Sequence, residues 1–323
     1  MPRVLVADDD STNRELLVEL LNCAGFDTAV AEDGAQCLQV FRAWQPDLLL
    51  LDVEMPQMNG FAVCSTLKSD PASRLTPIVL VTALSAIEDR LRGIEAGADD
   101  FLTKPVERSE LMARTRSLLN LKAFTDELEK AEAVLCALAQ SIEGKDPYTV
   151  GHCQRLSTYG ARLAKQVGLS DADVIALERA GIVHDIGKVA VPDSVLLKPG
   201  RLTDAERVIM SEHPIIGEKI CKPLKSFSRV LPIIRHHHEK MNGTGYPDGL
   251  KGSAIPLTAR ILQIVDVFDA LTTARPYKPA YSSEQAIEIM HEEVSKGWWD
   301  PDLLCEFERQ LPVLAPIAEG HCA

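Results

Sequence analysis

Short apolar runs alternate with amphipathic stretches along the first third of the chain. VLVA, FDTAVA, PDLLLLD, PIVLVTA and DDFLTKP follow one another at regular intervals, each succeeded by a stretch of helical periodicity. Five strands alternating with five helices predict a parallel α/β sheet over about residues 1–120. Strand-like patterning stops after Pro105, and the rest of the chain reads as helical. SDAD at Ser170, TDAE at Thr203 and SSEQ at Ser282 mark capping-box helix starts within it.

Between the two regions, Leu121, Phe124, Leu128, Ala131, Leu135, Leu138 and Ile142 recur in alternating steps of three and four, a heptad seam over residues 121–143. Such a seam serves either a parallel coiled coil that dimerises the chain or a helix packed on its own domain. The N-terminal half is the better candidate for an intermolecular contact.

A chain of 323 residues has room for two domains with separate cores. Its formal net charge of -13 argues against duplex DNA or an anionic membrane as partner. A phosphate-handling site in so acidic a protein requires local positive charge from metals or a few basic residues. The start MPRVLVADDD lacks the features of a signal peptide, and no apolar run approaches a membrane span, so a cytoplasmic location is expected. Eight cysteines without a CxxC pair speak against a disulfide framework or thiolate zinc.

In a parallel sheet, ligands collect beyond the carboxyl ends of the strands. Asp8 and Asp9 end the first predicted strand, Asp52 the third and Thr82 the fourth, and Lys104 follows the fifth. Carboxylates gathered there call for a hard divalent cation such as Mg²⁺. The set, with LDVEMPQMNG around Asp52 and with Lys104-Pro105, resembles the response-regulator receiver domain over about residues 2–120. The resemblance implies a flavodoxin-like sheet of order 2-1-3-4-5 and phosphorylation of Asp52 by a sensor histidine kinase. It also implies Mg²⁺ held by Asp8, Asp9, Asp52 and the Glu54 carbonyl, Lys104 paired with the phosphoryl group, and Thr82 and Phe101 as switch positions.

The helical region carries histidines and aspartates in five separated segments. GIVHDIGKVAVP contains His184, Asp185 and, one helical turn after His184, Lys188. IIRHHHEKMNGTGYPDGL contains His236, His237 and His238, and YTVGHCQRL and MSEHPIIGE add His152 and His213. In RILQIVDVFDALTTARPYK the apolar residues surround the helix, which predicts a buried Asp266 in need of a partner such as a metal.

The order HDIGK, HPIIGE, HHEKMNGTGYPDGL, ARPYK resembles the HD-GYP domain, a branch of the all-α HD phosphohydrolases, over about residues 125–320. The resemblance implies hydrolysis of cyclic di-GMP to pGpG, in some members on to GMP. It assigns metal binding to His152, His184, Asp185, His213, His237, His238 and Asp266, with iron or manganese favoured over nickel or zinc. Trinuclear members carry glutamate four residues before the first histidine. Tyr148 stands there in this chain, so two metals are expected.

A hydroxide between those metals, bridged also by Asp185, is the expected nucleophile. Lys188 would stabilise phosphate charge, and Asp269 either orients a ligand, moves a proton or serves only structure. Arg275 and Lys278 resemble contacts to substrate phosphate. Gly243 and Gly245 would admit close approach of backbone to ligand, or simply form a turn, and Tyr246 would pack on a guanine. The signature aspartate before the first loop glycine is replaced by Asn242, which alters the hydrogen bonds open to the turn. The expected partners are the kinase, a second copy of the chain and GGDEF-type or other signalling proteins. Alternatives are a hydrolase preferring pGpG or another nucleotide, and a catalytically silent scaffold that binds cyclic di-GMP.

Overall fold

The computed structural model describes residues 1–83, 87–144, 151–274 and 280–318. Its compact units are Met1–Ala131 and Glu132–Ala323.

The first unit runs β1 (Arg3–Ala7), α1 (Ser11–Cys23), β2 (Asp27–Ala31), α2 (Gly34–Trp44), β3 (Leu48–Asp52), α3 (Gly60–Ser69), β4 (Ile78–Thr82), α4 (Ile87–Glu95), β5 (Asp100–Thr103) and α5 (Arg108–Glu143). All strand pairs are parallel and the order is β2-β1-β3-β4-β5, as the receiver resemblance implies. Helices cover both faces, so the central strands must be apolar on both sides. In β3 and β4 every residue is buried. Alternate residues then enter different cores. Leu5, Leu49, Leu51, Ile78 and Leu80 join one, and Val4, Val6, Leu48, Leu50, Val79 and Val81 the other. The register Ala7↔Leu51 brings Asp8 and Asp52 side by side at the point where the sheet order reverses.

The second unit continues with α6 (His152–Gln166), α7 (Asp171–Val183), α8 (Asp193–Leu196), α9 (Asp204–Ser211), α10 (His213–Cys221), α11 (Leu231–His236), α12 (Leu257–Thr272), α13 (Ser283–Ser295) and α14 (Pro301–Ala318). Its core centres on α12, whose Ile261, Leu262, Ile264 and Val265 are buried with Leu156, Leu177 and Phe307. Thr203 and Ser282 form reciprocal capping boxes. Ser170 caps α7, but its box is incomplete. The shorter Asp173 side chain accepts from the Ser170 hydroxyl and pairs with Arg229 instead.

The heptad segment belongs to one helix with the last receiver helix, and the expected boundary near residue 120 falls inside α5. Its two halves differ. Leu121, Phe124 and Leu128 are exposed, whereas Leu135, Cys136, Ala139 and Ile142 pack on the core of the second unit. Leu138 is exposed, because the packed face follows the spacing 135, 136, 139 and 142 rather than the strict seam. No helix among the described residues is long and apolar enough to cross a membrane, and the seven cysteines among them are free thiols.

One contact sets the second unit's geometry. After α7 the chain turns through a short 3-10 helix, Ile186–Ala190, so His184 and Lys188 do not share one α-helix as their spacing suggested. Gly187 in this turn lies against α10 so closely that a Cβ would stand 1.9 Å from the His213 carbonyl oxygen and 2.6 Å from the Gly217 nitrogen. Gly187→Ala is therefore expected to destabilise the second unit by about 1–3 kcal/mol. Gly217→Ala, whose nearest contact is the Ile234 Cγ2 methyl at 3.0 Å rather than backbone at 1.9 Å, should cost less. Thermal denaturation of the two variants tests the order.

Candidate metal centre

The first unit gathers an acidic pocket. Ligand atoms of Asp8, Asp9 and Asp52 lie within 4.8 Å of one another. Lys104 Nζ stands 2.8 Å from Asp8 Oδ2 and 3.0 Å from Asp52 Oδ2. Burial, with the charge of Asp8, raises the Asp52 pKa against the pull of Lys104. Thr82 is buried at the end of β4, Phe101 packs into the core from β5, and Glu54 is exposed just beyond Asp52. Sequence reading missed Arg14, whose guanidinium donates to the Asp8 and Asp9 carbonyls at 2.7 and 2.9 Å and so holds the acidic turn.

The second unit brings all seven predicted ligands into two adjoining groups. Asp185, His213, His237 and His238 form one, and His152, His184 and Asp266 the other. Helix ends place the imidazoles. The last carbonyls of a helix lack intrahelical partners, and three histidines use them. His184 Nδ1 donates to Gly181 O at 3.2 Å, His213 Nδ1 to Met210 O at 2.7 Å and His237 Nδ1 to Ile234 O at 2.7 Å. A carbonyl only accepts, so each Nδ1 carries the proton and each Nε2 presents its lone pair to the centre.

Asp185 stands between the groups. Its Oδ1 lies 3.1 Å from His213 Nε2 and 3.8 Å from His237 Nε2, and its Oδ2 lies 3.3 Å from His184 Nε2 and 2.5 Å from Lys188 Nζ. Yet Asp185 Oδ1 and His184 Nε2 are buried without hydrogen-bond geometry to any described residue. Buried polar atoms left so are costly. Lone pairs converging on common points satisfy a cation rather than one another, and the donor set of imidazoles and carboxylates fits divalent transition metals.

Burial would raise the Asp185 pKa, but Lys188 and His184 hold it well below the usual carboxylate range. His237 is pushed down to about 4 by burial, and His238 is lowered by burial and its histidine neighbours. Both are therefore neutral, the state in which an imidazole can bind a metal.

The fourth imidazole is oriented by a carboxylate. His152 Nδ1 donates to Asp269 Oδ2 at 2.7 Å, while its Nε2 stands 3.5 Å from Asp266 Oδ1. Arg155, a residue missed in the sequence although one turn from His152, donates from Nε to Asp269 Oδ1 at 2.5 Å and from Nη2 to Oδ2 at 3.0 Å. The expected burial is reversed on α12. Asp266 is 21% exposed and opens on a cavity of about 250 Å³ shared with His152, Asp185 and Lys188. Asp269 is 2% exposed and carries the ion pairs. A carboxylate on an apolar helix is not thereby buried when its face borders a cavity.

The loop after α11 departs from expectation at Gly245 and shows where His236 turns. A Cβ at Gly245 would meet the Glu239 Cα and Lys240 N at 2.4 Å, so this glycine admits the loop's own backbone rather than a ligand. Gly243 adopts φ +84° in the turn. His236 turns away from the metal groups to Asp248, 3.0 Å from its Nε2. Tyr246 stacks on His238 with ring centroids 4.8 Å apart, so this metal-site ring already occupies one of its faces. Glu239, wholly buried, accepts from the Asp248 and Leu250 nitrogens at 2.7 and 3.0 Å. Gln263 donates to the His236 and Glu239 carbonyls. Glu in HHE was the available signal for this clamp. Asn242 Nδ2 donates to Lys296 O at 3.0 Å, a bond that aspartate cannot make. Tyr148, Arg275 and Lys278 lie outside the described residues.

The response regulator receiver domain profile matches residues 4–116, and the HD domain profile matches residues 137–303. The chain is 38% identical over 311 residues to the cyclic di-GMP phosphodiesterase response regulator RpfG of Xanthomonas campestris, covering 89% of this chain and 82% of that protein. The chain is a response regulator of the receiver–HD-domain family. This response regulator is also 33% identical over 334 residues to a cyclic di-GMP phosphodiesterase of Thermotoga maritima, covering 94% and 89% of the two chains. A third relative, the 3'3'-cGAMP-specific phosphodiesterase 3 of Vibrio cholerae, is 38% identical over 183 residues, covering 57% of this chain and 40% of that protein.

Two predictions follow from the electrostatics of this response regulator. Asp269→Asn removes the charge that steadies His152 and should weaken metal binding about 10- to 100-fold, read by metal content after equilibrium dialysis. For the metal-free protein, the folded pKa of His237, about 4, lies below the unfolded value of about 6.5. The unfolded chain therefore binds more protons between these values, so stability falls as pH drops from about 6.5 toward 4 and has no slope from this group above about 7. Melting temperatures across that range measure it.

Proposed function

We propose that this response regulator hydrolyses cyclic di-GMP to linear pGpG, and on to GMP if the product rebinds, under control of Asp52 phosphorylation by a sensor histidine kinase. The observation that carries the reading is the single carboxylate of Asp185 set between two ligand groups on one cavity. The printed activities of the relatives from Xanthomonas campestris and Thermotoga maritima support the substrate.

Two divalent ions of iron or manganese, when bound, would lower the pKa of water and neutralise phosphate charge. The chain's residues supply the rest. Asp185 would face both ions, His213, His237 and His238 would hold one, and His152, His184 and Asp266 the other. Lys188, now 2.5 Å from Asp185 Oδ2 and lining the same cavity, would stabilise the developing charge of a phosphodiester bound there. Asp269 touches His152 and Arg155 rather than the cavity, which favours an orienting role over proton transfer. In the receiver, Asp8, Asp9 and Asp52 would hold Mg²⁺, and Lys104 would move from its carboxylate partners to the phosphoryl oxygens. The exposed Leu121, Phe124 and Leu128 support a homodimer through the N-terminal half of the heptad seam.

The test uses full-length protein loaded anaerobically with Mn²⁺ or Fe²⁺ and given cyclic di-GMP, pGpG and 3'3'-cGAMP, with and without beryllofluoride. Cyclic di-GMP turnover is expected, with a rate that changes on beryllofluoride addition. Asp185→Ala should lose both turnover and bound metal. Turnover of another nucleotide without cyclic di-GMP would refute the substrate, and binding without turnover in the loaded protein would favour the scaffold.

A further inference from the structure

We infer that Glu143, the last residue of α5, is a positioning residue of the metal centre, capping the first turn of α6 and thereby setting where His152 stands. The inference rests on the dimetal reading of the site. The first turn of any helix has N–H groups without intrahelical acceptors, and α6 supplies no side-chain cap of its own, because its N-cap is Gly151. Glu143 fills the role from another helix. Its Oε1 accepts the N–H of Cys153 at 3.1 Å, where a carboxylate is also favoured by the positive end of the helix dipole. Cys153 directly follows His152, so the bond fixes the backbone from which that imidazole projects, while Asp269 holds its ring from the other side.

The final turns of α5 are themselves firmly seated. Glu132 pairs with Arg179 at 2.8 Å, and Leu135, Ala139 and Ile142 pack on the core. Ala139, Ile142 and Glu143 also line the cavity onto which His152 and Asp185 open. The end of α5 is thus a wall of the catalytic cavity. A shift or rotation of this turn reaches the His152, His184 and Asp266 group first, because His213 and His237 are oriented by the ends of α9 and α11. Metal occupancy of that one group becomes the quantity that α5 controls.

Full-length Glu143→Ala and Glu143→Gln separate the possibilities. Glu143→Ala should speed hydrogen exchange at the Cys153 N–H, weaken one of two Mn²⁺ ions about 10- to 100-fold and lower kcat more than it raises KM. Glu143→Gln retains an acceptor oxygen and should restore exchange protection and both metals. Unchanged exchange and metal affinity in Glu143→Ala would overturn the inference. So would a Gln variant that keeps the protection yet loses metal as Ala does, since Glu143 would then act as a ligand and not a cap. Wild-type protein binding fewer than two ions would instead refute the dimetal reading, and the exchange comparison would still decide the cap.

Discussion

A single carboxylate with two oxygens facing different imidazole groups is the constraint on which the second unit depends. Asp185 can serve both groups only if the turn after α7 brings it within reach of α10 and α11 while His184 stays on α7. That demand explains the 3-10 turn, and the absence of a side chain at Gly187 lets α10 come close enough. Lys188 balances the charge from the same turn. An isolated carboxylate in this buried cluster would be expensive, and the Lys188 ammonium 2.5 Å from Asp185 Oδ2 offsets that cost.

Helix ends do the remaining positioning. Carbonyls that α7, α9 and α11 cannot satisfy internally fix three imidazole tautomers, so one structural deficit answers a chemical need. At His152 the chain uses Asp269 braced by Arg155 instead. The receiver solves a related problem at strand ends. Adjacent strands of the parallel sheet deliver Asp8 and Asp52 to one point, and Lys104 supplies the cation between them.

Much of this was legible in the linear chain. Alternating apolar runs identified five strands, because strands buried on both faces need continuous apolar sequence. The resemblance to the HD-GYP domain, carried by HDIGK, HPIIGE and HHEKMNGTGYPDGL, named the residues that the fold brings together. Less legible was the direction each side chain takes. Asp266 and Asp269 share an apolar helix, and only the neighbouring cavity distinguishes the one that faces it from the one that is buried. His236 and His237 are adjacent and identical in type, yet the helix end turns one toward Asp248 and the other toward Asp185. Gly245 carried the expected signal of close approach, but what approaches is the backbone at Glu239.

The sequence by itself determined the two fold classes and the chemical types available at each site, since these depend on local periodicity and on residue identity. The tertiary structure decided the partition of the ligands into two groups, the orienting roles of Arg155, Asp269 and Glu239, and the unequal halves of the heptad seam. Leu121 and Leu135 look alike along the chain. One is exposed and the other packs on a core, because what covers an apolar side chain is contributed by residues distant in sequence.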